Sequence, residues 1–269
     1  MPCRFTLLVL IQIILWWSPA SAADFQKYCS SSSERWLFLI DRTDTYDSLD
    51  QKRLAEGAAA ILNEIKQAAS ASLSRGLLFE VYSITDRPGN LSAEWSTCVP
   101  ACPIIDDKED CSDVLLQRDR RVFDASFKQR FTPFVSDPAV TPASEILRTL
   151  FLLSTELEGK RVSRMIVFSD LIEYSNLNKR VSEFSKVDAK ELRATVTKRQ
   201  LVALPTFKTT KITVFGAGKR LGQNNTEESA KPQLVLSTSA AVAFREFWLG
   251  YLGDIAPKGS VSIRQNYVD

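Results

Sequence analysis

The sequence contains no histidine among its 269 residues. Histidine is the general base of Ser-His-Asp and Cys-His hydrolases, and it is the commonest ligand for metals such as zinc. Its absence excludes both nucleophilic arrangements and every zinc site that depends on an imidazole. Mechanisms that use a Ser-Lys pair or two carboxylates stay open.

An excess of charge of one sign is also missing. The chain has 34 Lys and Arg against 32 Asp and Glu, a formal net charge of +2, and no long basic block. Proteins that bind nucleic acids neutralise phosphates with clustered Lys and Arg, so nucleic acid is not an expected partner. The hydrophobic share of 45% and the charged share of 25% are those of an ordinary globular protein.

The apolar stretch Phe5–Trp17 is shorter than the roughly 20 residues that a membrane-spanning helix needs. It follows a positive charge at Arg4, is ended by Pro19, and precedes the small-residue sequence Ala20-Ser21-Ala22. This pattern predicts that residues 1–23 are a signal peptide that is cleaved on export. An uncleaved membrane anchor is the alternative.

Export would place residues 24–269 in the periplasm or outside the cell, without a stable membrane span. We expect these residues to form a single domain with a cysteine-containing insertion at about residues 86–140, where Pro, Asp, Lys and Arg are dense. Within it, residues 98–111 are predicted to be a disulfide-bonded surface excursion. Residues 114–134 are predicted to hold a strand or a short helix.

The cysteines are interpreted in the light of export. Cys3 would leave with the signal peptide, and an even number of cysteines in an oxidising compartment favours disulfide bonds. A zinc site made of four thiolates is the alternative. Four cysteines allow three pairings, and the sequence does not choose among them. The disulfide candidates are Cys29, Cys98, Cys102 and Cys111.

Strand and helix patterns alternate along the rest of the chain. Continuous apolar runs are typical of strands buried on both faces, and apolar residues at helical spacing indicate helices that pack on a sheet. The alternation predicts an α/β fold: a doubly wound, mostly parallel sheet with helices on both faces. The predicted strands are 36–40, 77–84, 164–168 and 211–216, and the predicted helices are 48–69, 142–157, 188–201 and 241–252.

Oxygen-bearing side chains follow two of these strands. Asp41, Thr43 and Thr45 come after the first strand, and Asp170 comes after the strand at residues 164–168. Because the carboxyl ends of parallel strands meet at one edge of a sheet, these residues are expected to line one crevice. Carboxylates and hydroxyls are the ligands that hard cations such as Mg²⁺ prefer.

A hydroxyl from a later helix start would complete this cluster. Thr141 precedes Pro142, which suits the first position of a helix, and Ser144 is a further ligand candidate. An alternative without metal is equally compatible with the residues. Thr141 would then cap its helix, and Asp41 would accept hydrogen bonds in a local turn.

In these residues the sequence resembles the von Willebrand factor A (vWA) domain family. The metal-ion-dependent adhesion site of that family has an Asp-x-Ser-x-Ser segment, a later Thr, and an Asp that is usually followed by Gly. Here Asp41-Arg-Thr43-Asp-Thr45, Thr141 and Asp170 match these positions, with Thr in place of both serines. Two neighbours depart from the pattern: Val140 stands where Gly is frequent, and Leu171 stands where Gly is usual.

The resemblance implies a protein-binding module, with Mg²⁺ or another divalent cation held by this cluster and an open position filled by a carboxylate of a protein partner. We therefore expect no enzymatic activity. One alternative is a structural component of an envelope assembly with a vestigial metal site. Another is a metal-dependent phosphoester hydrolase, for which Glu173 is the nearest base. Dehalogenase-like phosphatases need a second Asp where this chain has Thr43, which cannot act as a general acid or base.

Overall fold

A computed structural model describes twelve stretches of the chain. They are residues 25–29, 34–42, 56–57, 59–67, 76–86, 88–89, 91–102, 112–136, 144–173, 189–199, 207–217 and 238–264. Within these stretches, no helix has the length and apolar character that crossing a membrane requires. The predicted signal peptide lies outside the described residues.

The centre of the fold is a six-stranded sheet with the order β3-β2-β1-β4-β5-β6. Strands β2, β1, β4, β5 and β6 pair in parallel, and β3 is an antiparallel edge strand on β2. The strands are β1 (Glu34–Asp41), β2 (Leu77–Ile84), β3 (Trp95–Val99), β4 (Val162–Phe168), β5 (Lys211–Phe215) and β6 (Val261–Arg264).

The helices fill the connections between the strands. A short 3-10 helix (Gln26–Tyr28) precedes β1, and the described residues 56–57 and 59–67 belong to a helix, α1, between β1 and β2. The later helices are α2 (Asp113–Ser136), α3 (Ile146–Glu156), α4 (Ala189–Arg199) and α5 (Thr238–Ile255).

Each face of the sheet has its own hydrophobic core. On one face, alternate side chains of β1, β2 and β4 pack with α1 and with an aromatic stripe of α2 formed by Phe123, Phe127 and Phe131. On the other face, the intervening side chains pack with α3 and α5. Helix α4 packs against α5. The predicted doubly wound α/β fold with helices on both faces is confirmed, because buried strands alternate with amphipathic helices along the chain.

The segment at residues 86–140 differs in detail from its prediction. Cys98 and Val99 are fully buried in β3, so this part is a strand of the sheet and not a surface excursion. Residues 113–136 form one long helix of 24 residues. Neither element was recognisable from the sequence. Strand β3 is short, and the many charged residues of α2 obscure the periodicity of its apolar residues. The domain boundaries themselves stay a prediction.

Helix α3 begins at Ile146, four positions beyond the predicted start at Pro142. The residues just before it bind to the sheet instead of extending the helix. The Glu145 amide donates to the carbonyl of Thr85, which directly follows β2. This bond fixes Ser144 and Glu145 in non-helical conformation beside the sheet edge. Thr141 and Pro142 lie outside the described residues.

The N-terminal segment is tied to the antiparallel edge of the sheet. A disulfide joins Cys29 to Cys98 across 69 positions of the sequence. The Tyr28 hydroxyl donates to the buried Asp119 carboxylate of α2 over 2.8 Å, and Lys27 forms an ion pair with the same carboxylate at 2.6 Å. Cys102 is also disulfide-bonded, whereas Cys111 lies outside the described residues. The prediction of disulfides in place of a thiolate zinc site is confirmed for Cys29 and Cys98.

Candidate metal centre at the strand ends

The predicted strand-end residues meet where the order in which the chain adds strands to the sheet reverses, between β1 and β4. From β1 the chain first moves to β2 on one side and later reaches β4 on the other, so the carboxyl ends of β1 and β4 flank a crevice. Ile40 pairs with Phe168 in this register. Asp41 is the last residue of β1, and Ser169 and Asp170 directly follow β4, so the three lie side by side.

Asp41 is the centre of a buried hydrogen-bond cluster. Its carboxylate is fully buried and accepts bonds from two hydroxyls. Ser144 donates to both oxygens, at 2.9 Å to Oδ1 and 3.0 Å to Oδ2. Ser169 donates to Oδ2 at 2.7 Å. We call Asp41, Ser144, Ser169 and Asp170 the strand-end cluster.

Asp170 adds a second carboxylate, which is 3% exposed. Its Oδ1 accepts the backbone amide of Ile172 at 2.8 Å. Burial, and after it the neighbouring charge of Asp41, raise the pKa of Asp170 to about 7 against the lowering effect of the Ile172 amide. Two carboxylates in a dry site repel each other, and a bound cation would relieve that repulsion.

Leu171 follows Asp170 in a left-handed backbone conformation, with φ of 61°. This region is uncommon for residues other than glycine. Its amide donates to the Ser169 hydroxyl at 2.9 Å. Its side chain is 2% exposed and belongs to the hydrophobic core on the face of the sheet that α3 and α5 cover. Leucine therefore occupies a backbone position that suits glycine.

Glu173 connects the residues after β4 to helix α3. Its Oε2 accepts the backbone amides of Ile146 at 2.7 Å and Leu147 at 3.1 Å, and the residue is 1% exposed. A carboxylate suits this place because the first amides of a helix lack intrahelical acceptors and carry partial positive charge. Glu145, which occupies the N-cap position, forms no side-chain capping bond.

The structure brings together Asp41, Ser144 and Asp170 of the predicted ligand set. Thr43, Thr45 and Thr141 lie outside the described residues, so their part in the site stays a prediction. Ser169 was not among the predicted ligands. The sequence carried a signal for it, since the strand Val162–Phe168 stops on a hydroxyl and an acid just as β1 stops on Asp41.

The strand-end cluster has the donor set of a hard divalent cation. The hydroxyls of Ser144 and Ser169 donate their protons to Asp41. A hydroxyl oxygen has two acceptor lone pairs, and Ser169 uses one of them for the Leu171 amide. With two carboxylates, the two hydroxyls form an all-oxygen set of the kind that binds Mg²⁺. Among the described residues, no group of three or more His, Cys, Asp or Glu side chains is placed to hold a metal. The fit therefore depends on the hydroxyls.

No protein-family model and no curated protein matches the chain in sequence. Solved structures of proximal thread matrix protein 1 (PTMP1) from the mussel byssus are similar to it at 11% identity and a TM-score of 0.36, over 88% of this chain and 42% of that one. One PTMP1 structure, with a zinc-occupied MIDAS motif, gives 11% and 0.34. The human COPII-coat protein Sec24c gives 11% and 0.29, over 70% of this chain and 28% of that one. The chain thus spans less than half the length of these proteins.

Proposed function

We propose that this chain is an exported, vWA-like protein-binding module that engages a carboxylate of a protein partner through a divalent cation. The observation that supports the proposal is the buried strand-end cluster, in which Asp41 and Asp170 lie with two hydroxyls at the switch point of the sheet. Ligands bind at this place in open α/β sheets. The Cys29–Cys98 disulfide supports an oxidising, extracytoplasmic location.

The balance of charged and neutral ligands explains why the partner group would be an acid. Mg²⁺ keeps several waters and takes one or two protein carboxylates, and here Asp41 and Asp170 would supply them. Ser144, Ser169, Thr43, Thr45 and Thr141 would be neutral ligands. An ion held by mostly neutral oxygens stays electrophilic, so an incoming carboxylate can replace a bound water.

A binding role also agrees with the position of Glu173, the nearest base for a phosphoester hydrolase. One of its carboxylate oxygens accepts two amides of α3, so this residue has a structural role at the start of the helix. The absence of histidine removes the commonest alternative base. A non-enzymatic module is therefore the proposal that these residues favour.

The test is recovery of partner proteins by the immobilised mature domain, with Mg²⁺ and with EDTA. Proteins that are retained in Mg²⁺ and released by EDTA are expected. Asp41→Ala should lose them while its circular dichroism spectrum stays that of the wild type, because the contacts that it removes are side-chain hydrogen bonds from Ser144 and Ser169 and not bonds of the sheet. Retention by the variant, with no effect of EDTA, would contradict a metal-mediated contact and favour a structural component with a vestigial site.

A further inference from the structure

Residues 144–147 and 169–173 come from distant parts of the chain but are joined twice at the strand-end cluster. The first link passes through Asp41, whose carboxylate accepts the hydroxyls of Ser144 and Ser169. The second link is Glu173, which accepts the amides of Ile146 and Leu147. Together the two links hold the start of α3 and the segment after β4 next to each other at the strand-end cluster.

The second link lies two positions from the Ser144 hydroxyl. Ser144 and Glu145 directly precede α3 and are held on two sides. The Glu145 amide donates to Thr85 and the Ser144 hydroxyl donates to Asp41, while the Glu145 carbonyl accepts the amide of Thr149 in the first turn of α3. Their placement therefore depends in part on where the helix begins. Glu173 fixes that start, and its carboxylate at the amino end of α3 is further stabilised by the partial positive charge of the helix. It is also three positions from Asp170 in the sequence.

We propose that Glu173 is a positioning residue of the metal centre: it clamps the amino end of α3 to the segment after β4 and so holds Ser144 and Asp170 at one ion. This inference rests on the proposed metal function for its consequence, but the clamp itself is a property of the protein without metal. Groups that orient metal ligands from behind typically change metal affinity 10- to 100-fold when they are removed.

The chain offers a matched control. Glu145 is an acid at the same end of α3, but its carboxylate faces Arg148, with 3.3 Å between Oε2 and the Arg148 guanidinium, and forms no capping bond. Glu145→Ala therefore removes an acid from the helix terminus without touching the clamp. Glu173→Gln keeps an acceptor oxygen and loses the charge, so it should retain part of the effect.

The clamp is tested by amide hydrogen exchange of the full domain in EDTA, followed by NMR. Glu173→Ala is expected to speed exchange at Ile146 and Leu147 by about tenfold or more relative to Val81 in β2, because each amide loses a charged acceptor. Exchange at Leu171, whose amide donates to the Ser169 hydroxyl two positions earlier, should rise as well, because Glu173 holds this same segment after β4. Glu145→Ala should leave this ratio unchanged. A uniform rise over all amides, or a rise confined to Ile146 and Leu147, would overturn the proposal.

Calorimetric titration with Mg²⁺ separates this inference from the proposed function. Wild type and Glu145→Ala are expected to bind with equal affinity, and Glu173→Ala about tenfold or more weakly. Equal affinity of Glu173→Ala and wild type would overturn the positioning role while leaving the metal function in place. If wild-type protein binds no Mg²⁺, the proposed function fails, and the exchange pattern at Leu171 still decides for or against the clamp.

Discussion

Leu171 is a leucine in a left-handed backbone conformation beside the strand-end cluster. That conformation costs a residue with a Cβ roughly 1 kcal/mol or more relative to glycine, while burial of the leucine side chain stabilises the fold by about 2 kcal/mol or more. At this position the packing of the leucine side chain therefore outweighs the strain of its backbone. The stabilisation comes from the hydrophobic core beneath α3 and α5, to which the Leu171 side chain belongs.

The strain predicts an unusual order of stability. Leu171→Ala and Leu171→Gly should both be less stable than wild type, because both lose the buried side chain. Among them the glycine variant should be the more stable, by about 1 kcal/mol, although glycine ordinarily destabilises. Urea denaturation measures this difference, and an alanine variant equal to or above the glycine variant would show that φ at residue 171 is not positive.

The environment of Asp119 predicts that the stability of the fold depends on pH. Burial alone would raise its pKa, but hydrogen bonds from Lys27, Tyr28 and Arg118 outweigh burial and lower the pKa from 3.8 to about 2. A carboxylate whose pKa is lower in the folded protein stabilises the fold above its ordinary pKa. This stabilisation is lost as the pH falls through the folded-state value.

Asp119→Asn should therefore be less stable than wild type near neutral pH, by about 1–3 kcal/mol. The difference should be constant above about pH 5 and shrink between about pH 4 and pH 2, where wild-type Asp119 becomes protonated. Urea denaturation at several pH values measures it. A difference that is unchanged down to pH 2 would contradict the assigned ion pairs.

At the level of secondary-structure elements, the N-terminal segment docks closely on the turn before β2. Gly76 has φ of +73°, and a Cβ at this position would lie 1.8 Å from the carbonyl oxygen of Tyr28. Gly159 has nearly the same φ, +74°, with no atom within 4 Å of its Cβ position. The two glycines therefore separate backbone strain from steric exclusion.

Gly159→Ala should cost about 1 kcal/mol, the backbone strain alone. Gly76→Ala should cost clearly more, because the Tyr28 backbone must also move away from the core and from its disulfide-bonded neighbour Cys29. Thermal unfolding of both variants gives the comparison. Equal losses in the two variants would mean that the N-terminal segment does not pack on Gly76.

The sequence predicted those elements whose pattern is local. Strands β1, β2, β4 and β5 are apolar runs buried on both faces, and α5 carries an aromatic stripe, so each was recognisable on its own. Strand β6 was not, because its four residues are only partly buried. The start of α3 was also missed, since it depends on partners that are distant in sequence: Thr85, which binds the Glu145 amide, and Glu173, which binds the Ile146 amide from 27 positions away.

The strand-end cluster was predictable for a related reason. In a parallel sheet, acids that follow two adjacent strands must come together, so Asp41 and Asp170 could be paired from the strand pattern alone. For Ser169 the sequence signalled only its place between β4 and Asp170, and not its contact with Asp41. Its role depends on the side-chain rotamer that directs its hydroxyl at Asp41, which no spacing specifies.

For the whole molecule, the fold joins two hydrophobic cores, one on each face of the sheet, to a small polar cluster at the carboxyl ends of β1 and β4. The antiparallel edge is secured by the Cys29–Cys98 disulfide and by the contacts of Asp119. The crevice at the other end of β1 is secured by Asp41 and Glu173. Asp41, Ser144, Ser169 and Asp170 are thus held in place by hydrogen bonds of the protein itself.

The most direct measurement of the proposed function is the metal content of the purified mature domain after equilibrium dialysis against Mg²⁺ or Mn²⁺, determined by elemental mass spectrometry. One ion per wild-type chain is expected, and much less for Asp170→Asn, which loses a charged ligand. Asp119→Asn, a buried acid far from the crevice, should retain the wild-type content. Wild-type protein without bound metal, or an Asp170→Asn content equal to that of wild type, would contradict a cation site at the strand ends.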